Sequence, residues 1–158
     1  MTEALIDAFS VQRYNLVIEG TLRTSEVPLK TAALLRERGY AVSLAIMAVK
    51  PEISLVSCQI RYEMMRIAGT APRATDPKHH NKIVHDIADN LKVLEESGSF
   101  EHVLMYDRAA TCLYPREDEC RTAAETLRSV LFGSWSAEEE VHYEHLKQEL
   151  VELRDVPS

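Results

Sequence analysis

The stretch AVSLAIMAV, residues 41–49, decides the fold class of this sequence. It is a nearly unbroken apolar run that ends just before Pro51, which is typical of a strand covered on both faces. Residues 14–18 predict a shorter buried strand upstream, and a helix that begins at Ser25 or Thr24 and ends at Gly39 separates the two. An order of strand, helix and strand indicates an α/β fold with a parallel sheet.

The remaining sequence continues this alternation of helices and strands. Apolar residues at helical spacing predict one helix from Pro51 to Gly69 and a second over residues 77–96. Two short strands follow, over residues 102–106 and 111–114. From residue 119 onwards the sequence predicts helices with a break at Gly133. We therefore divide the chain into an α/β part, residues 1–118, and a helical tail, residues 119–158.

Composition limits the classes of function. The chain has 158 residues, is 46% hydrophobic and carries a net charge of −7, which argues against wrapping nucleic acid. No apolar run is long enough to cross a bilayer or resembles a signal peptide, so we expect a cytoplasmic protein without membrane contact. Three irregularly spaced cysteines fit a reducing compartment. The histidine spacings predict no metal site.

The stretch VIEGTLRT, residues 17–24, is the strongest candidate for a binding site. It follows the first predicted strand, and open α/β sheets bind ligands at the carboxyl ends of their strands. Glu19 could accept hydrogen bonds from hydroxyl groups, Thr21 could donate one, and the Arg23 guanidinium could bind a phosphate or a carboxylate. The alternative interpretation is a capped turn between strand and helix with solvated charges.

Arginines form a second candidate site. Arg61 falls on the predicted helix that begins at Pro51, Arg73 lies in the polar segment behind it, and Arg66 lies between them. Two guanidinium groups brought together can neutralise phosphates during phosphoryl transfer. The alternative is that these residues form surface ion pairs, which contribute little to stability.

Several segments taken in order resemble the zeta-toxin family, P-loop kinases that phosphorylate UDP-N-acetylglucosamine. These segments are YNLVIEGTLRTSEVPLKTAALLRERGY, then AIMAVKPE, IRYEMM and PRAT, and then the long helix that ends in NLKVLEESGSF. The resemblance extends from the first residue to about Tyr114. It implies an incomplete P-loop-kinase-like parallel sheet with flanking helices.

The resemblance also implies roles for particular residues. Glu3, Glu19, Thr21 and Arg23 match positions that line the sugar-nucleotide pocket, and two arginines match positions that reach the nucleotide phosphates, Arg61 and Arg73. The implied reaction transfers the γ-phosphate of ATP, with Mg²⁺, to the 3′-hydroxyl of UDP-N-acetylglucosamine. The implied protein partner is an antitoxin.

The family's phosphate-binding loop has no counterpart in this sequence. Such a loop ends in Gly-Lys-Ser/Thr, whereas the five glycines are followed by Thr, Tyr, Thr, Ser and Ser. The family's catalytic aspartate precedes the position of Glu3. We therefore expect no catalytic residue in this chain, no activity and no tight ATP binding by the chain alone, and a separate P-loop half in any active enzyme. In the family that loop's strand lies between the strands matching residues 14–18 and 41–49, so we expect unpaired strand edges and self-association.

Other interpretations remain open. The kinase acceptor could be an antibiotic or another small hydroxylated metabolite, because a fold does not fix a substrate. The chain could instead be a non-catalytic module that binds UDP-sugars or an antitoxin, with residues 136–153 as a partner surface. A split enzyme, a mis-started gene and a remnant are equally compatible with the sequence.

Overall fold

The structure is a computed structural model that describes residues 2–117 and 120–157. The boundary predicted between residues 118 and 119 lies outside the described residues. The elements are, in chain order, α1 (Thr2–Val11), α2 (Glu26–Glu37), β1 (Ser43–Met47), α3 (Pro51–Ile67), α4 (Pro77–Glu96), β2 (His102–Tyr106), β3 (Cys112–Tyr114), α5 (Ala123–Phe132) and α6 (Ala137–Arg154). The predicted α/β class is confirmed.

The three strands form one mixed sheet in the order β1-β2-β3. β1 and β2 are parallel, with Ser43 opposite His102 and Met47 opposite Tyr106. β3 is antiparallel to β2. The parallel pair places the carboxyl ends of β1 and β2 at one edge of the sheet, where the backbone N–H of Ala48 donates to Tyr106 O at 2.8 Å.

The prediction of a strand at residues 14–18 is wrong. This segment is not part of the sheet, and Tyr14, Val17 and Ile18 are exposed, Val17 by 95%. A strand forms only where a neighbouring strand accepts and donates its backbone hydrogen bonds, and no strand in the described part of the chain pairs with these residues. β1 likewise has β2 on one side and no strand on the other within the described residues, so the expected unpaired edge is present.

The burial predicted for β1 is wrong as well. Ile46 is buried, as is Ala48 just beyond the strand, but Ala45 and Met47 on the opposite face are exposed. Successive residues of a strand point to opposite faces, so the pattern describes a strand covered on one face. An unbroken apolar run in the sequence does not show how many faces of the strand are buried. Here helices pack against one face of β1 and leave the other exposed.

Two apolar clusters hold the molecule together. The first joins the sheet to α4 and α5, and its fully buried members include Leu91, Met105 and Leu127. The second joins α3 to α6, and its buried members are Ile53, Val56, Ile60, Leu146 and Leu150. Helix α6, in the predicted helical tail, therefore packs intramolecularly, against α3.

Lys50 lies where the two clusters meet, although it is a lysine and only 2% exposed. It directly follows β1 and precedes α3, and its Nζ donates to Gly133 O at 2.9 Å and to Ser134 O at 3.2 Å in the turn after α5. The ammonium also lies 5.8 Å from the centre of the Trp135 ring. These contacts compensate for burying the charge and fix the α5–α6 turn against the end of β1.

Side-chain caps fix the beginnings of α5 and α6. Thr122 and Glu125 form a reciprocal capping box at α5, and Ser136 and Glu139 form another at α6. Glu95 of α4 adds to the first by accepting from the backbone N–H of Ala123 at 2.8 Å. Among the described helices, none is both long and apolar enough to span a membrane.

Candidate functional site

The backbone of residues 17–24 is held in place by α4. Asn90 Nδ2 donates to Leu22 O and to Arg23 O, both at 3.0 Å. Leu22 has φ +50°, a left-handed conformation that is costly for a leucine, and its side chain packs against the first apolar cluster. Because Asn90 and the first apolar cluster hold this backbone on its inner side, the side chains next to Leu22 face solvent.

Three predicted binding residues occupy this turn, and all three are exposed. Glu19, Thr21 and Arg23 form no side-chain hydrogen bond or ion pair with any described residue. Gly20 lies between them with no heavy atom within 4 Å of where a Cβ would be, so the surface is open there. The turn thus offers a carboxylate, a hydroxyl and a guanidinium to solvent on a fixed backbone.

Glu3 lies apart from these three. It occupies the first turn of α1, where its carboxylate lies 3.9 Å from Lys30 Nζ of α2, and both side chains are more than 80% exposed. An ion pair this exposed contributes little to stability. No hydrogen bond or ion pair joins Glu3 to the turn at residues 17–24 within the described residues.

The two arginines expected to contact phosphates are exposed, and neither pairs with a carboxylate of the described residues. Arg61 projects from α3, with its Nη2 3.7 Å from Cys58 Sγ, and Arg73 lies in the segment between α3 and α4. Arg66 is different, because it donates to Glu63 at 2.6 Å and to Leu153 O at 3.1 Å. Arg66 is therefore a structural residue that binds the end of α6 to α3.

Two further residues were missed in the sequence analysis. Asn90 reaches a turn 67 and 68 positions away in sequence, and Arg108, in the turn after β2, donates from Nη1 to Ser57 Oγ of α3 at 2.8 Å. Both contacts depend on how the helices pack, so no local pattern encodes them. The position of Arg108 at the carboxyl end of a strand was the one available clue.

The described residues fit part of what ATP and Mg²⁺ require. Arg61 and Arg73 supply cationic side chains that pair with no carboxylate of the described residues, which leaves their charge for a phosphate chain. Among the described residues, no group of three or more His, Cys, Asp or Glu side chains could hold a metal ion. The Gly-Lys pair of a phosphate-binding loop does not occur in the sequence. These residues fit the charge of a phosphate chain and supply neither the amide cradle nor the metal ligands.

Comparison with known proteins gives one consistent family. The family model described as Zeta toxin matches residues 1–119. Toxin PezT of Streptococcus pneumoniae serotype 4 is 47% identical over 137 residues, which make up 86% of this chain and 54% of PezT. Toxin zeta of Streptococcus pyogenes is 36% identical over 154 residues, or 96% of this chain and 54% of that toxin.

A solved structure agrees with these sequence matches. It comes from the characterisation of the PezAT chromosomal toxin–antitoxin system of Streptococcus pneumoniae, and it superposes with a TM-score of 0.85 at 39% identity. The match covers 98% of this chain and 61% of the solved one. The chain thus spans about half the length of the toxins that it matches in sequence.

Proposed function

Since this chain belongs to the zeta-toxin family, we propose that it forms the acceptor-binding part of a toxin kinase. The reaction would transfer the γ-phosphate of ATP to the 3′-hydroxyl of UDP-N-acetylglucosamine. The chain would contribute Glu3, Glu19, Thr21 and Arg23 to the sugar-nucleotide pocket, and Arg61 and Arg73 to the nucleotide phosphates.

The turn at residues 17–24 carries this proposal. Glu19 can accept hydrogen bonds from sugar hydroxyls, Thr21 can donate to a carbonyl or a phosphate oxygen, and Arg23 can bind the diphosphate with two parallel hydrogen bonds. Asn90 holds the backbone beneath them, so little backbone conformational entropy is lost when a ligand binds. A fixed turn with three unpartnered polar side chains supports ligand binding over a purely structural role.

Phosphoryl transfer requires more than the residues of this chain. We propose that a Gly-Lys phosphate-binding loop and a general base come from further polypeptide, because the 158 residues contain no Gly-Lys pair. A general base alone contributes about a hundredfold to ten-thousandfold in rate. The isolated chain is accordingly expected to bind the acceptor without turning it over.

Calorimetric titration of the purified chain with UDP-N-acetylglucosamine tests the proposal. We expect binding by the wild type and a Kd about 10- to 150-fold higher for Arg23→Ala, since a hydrogen bond to a charged group contributes about 1.5–3 kcal/mol. The control Arg121→Ala removes another exposed arginine, ahead of α5, and should leave the Kd unchanged. The proposal is wrong if the folded wild type shows no binding, or if Arg23→Ala binds as tightly as the wild type.

An antitoxin partner belongs to the same proposal. The solved relative comes from a toxin–antitoxin system, and the inner face of α6 is occupied by α3, which leaves its outer face, with Val141 71% exposed, for contacts to another protein. Co-expression with a candidate antitoxin should give a complex that survives size-exclusion chromatography. Separate elution of the two proteins would argue against this partner.

A further inference from the structure

The turn after β2 places Arg108 at the carboxyl edge of the parallel strand pair. The turn is closed by a hydrogen bond from Asp107 N to Thr111 O at 3.1 Å and by one from Thr111 N to Asp107 Oδ1 at 2.8 Å. These two bonds fix the backbone on either side of Arg108. The residue therefore projects from a defined turn at the edge where open α/β sheets bind ligands.

The Arg108 guanidinium crosses from this turn to helix α3. Its Nη1 donates to Ser57 Oγ at 2.8 Å, and the same hydroxyl donates onward to Ile53 O at 2.7 Å. Both hydrogen-bonding roles of Ser57 are thus in use, which orients the guanidinium. Arginine has five N–H donors, and the bond to Ser57 uses one of them. The others have no partner among the described residues.

Arg61 brings a second guanidinium back to the same turn of α3. Its side chain leans towards the amino end of the helix, as helical side chains do, and its Nη2 reaches Cys58 Sγ, which adjoins Ser57. Arg61 and Arg108 have no carboxylate within 4 Å among the described residues. Ser57 and Cys58 are adjacent residues, so the two guanidinium groups contact neighbouring positions on α3, and an anion that contacts both would offset the repulsion between their charges.

One more polar contact lies a turn earlier on α3. His80 Nε2 of α4 is 3.1 Å from Ser54 Oγ, and Ser54, Ser57 and Arg61 follow one another at a spacing that places them on one face of the helix. Hydroxyl and imidazole groups can both donate to phosphate oxygens. In a chain with a net charge of −7, this face is a local exception to the overall acidity.

We propose that Arg108 is a further phosphate-binding arginine, which forms with Arg61 a subsite for a polyphosphate chain over residues 57 and 58 of α3. Ser57 is its positioning residue. The ligand chemistry is a chain of linked phosphates, carried either by a nucleoside triphosphate or by the diphosphate of a sugar nucleotide. The inference deepens the proposed function and rests on it for the identity of that ligand, whereas the subsite itself rests on the contacts of Arg108.

The test is titration with inorganic tripolyphosphate, ATP and UDP-N-acetylglucosamine, each without a second ligand. We expect the wild type to bind tripolyphosphate, Arg108→Gln to raise its Kd at least about tenfold, and Ser57→Ala to raise it less, because the charge remains while its orientation is lost. Arg121→Gln removes a charge of the same kind elsewhere and should have no effect. If ATP binding weakens in parallel, the subsite takes the triphosphate; if UDP-N-acetylglucosamine binding weakens instead, it takes the diphosphate.

Two results would overturn the inference. One is that the wild type does not bind tripolyphosphate. The other is that Arg108→Gln binds tripolyphosphate as tightly as the wild type. A lower thermal midpoint with unchanged affinity for tripolyphosphate is the result that a purely structural arginine would give. Acceptor binding that depends on Arg23 would in either case leave the proposed function intact. Conversely, tripolyphosphate binding that depends on Arg108, without acceptor binding, would refute the acceptor assignment alone.

Discussion

Asn90 offers the sharpest test of how the turn at residues 17–24 is held. The substitution Asn90→Asp keeps the size and shape of the side chain but replaces the amide donor with a carboxylate oxygen. That oxygen would face the carbonyl oxygens of Leu22 and Arg23, which now accept hydrogen bonds at 3.0 Å. Two favourable contacts would become repulsive ones, beneath a residue already in a left-handed conformation.

The expected magnitude follows from these two bonds. Each contributes about 0.5–1.5 kcal/mol, so losing both costs about 1–3 kcal/mol before any repulsion is added. For a protein of this size, 1 kcal/mol corresponds to about 2–4 °C, so the thermal midpoint should fall by about 2–12 °C. If the turn must then be ordered by its ligand, the Kd for UDP-N-acetylglucosamine should rise about 5- to 150-fold.

Thermal unfolding followed by circular dichroism measures the first quantity, and calorimetry measures the second. Asn81→Asp is the matched control, because Asn81 lies on the same helix, is exposed, and uses its oxygen towards His80 Nδ1, an acceptor role that a carboxylate can also fill. A variant Asn90→Asp with the same midpoint as that control would refute the conclusion that Asn90 holds the turn.

Two further predictions concern acid stability and self-association. The backbone N–H of Thr122, and after it the Thr122 side chain, lower the pKa of Glu125 below its usual 4.5. The resulting stabilisation is present above pH 4.5 and is lost as the pH falls through the lower, folded-state pKa. In urea unfolding, the wild type should be more stable than Glu125→Gln at neutral pH and equally stable in strong acid, whereas the same stability difference at both pH values would contradict this. The unpaired edge of β1 and the exposed Val17 predict that the protein self-associates with rising concentration, which light scattering measures. Val17→Lys should reduce this self-association, and the control Val141→Lys should not. A monodisperse wild-type monomer would contradict the prediction.

The elements that the sequence predicted correctly are those with local signals. α4 has the predicted bounds, Pro77–Glu96, because Asp76 caps it by accepting from Lys78 N, Pro77 suits its first turn, and its apolar residues recur at helical spacing. β2 also has its predicted bounds, His102–Tyr106. In both cases the residues that define the element lie within it or next to it.

The errors concern properties that depend on distant residues. Residues 14–18 have the composition of a strand, but a strand also needs a neighbour to pair with, and composition does not show whether one is present. The same holds for the site: the exposed side chains of the turn could be identified from the sequence, whereas Asn90 beneath it and Ser57 beneath Arg108 could not. Their contacts span 67 and 68 residues for Asn90 and 51 for Arg108.

Lys50 has a consequence for how mutational data on this protein should be interpreted. A methionine there would leave two carbonyl oxygens of the α5–α6 turn without their donor, and an arginine would bring a larger, planar guanidinium to a position that is only 2% exposed. Position 50 will therefore tolerate few substitutions, much like a ligand-contacting position. A lysine at the carboxyl end of a strand also invites a catalytic interpretation. A survey scored by ligand binding would place Lys50 among the binding residues, and only a parallel score for folded protein would assign it to the scaffold.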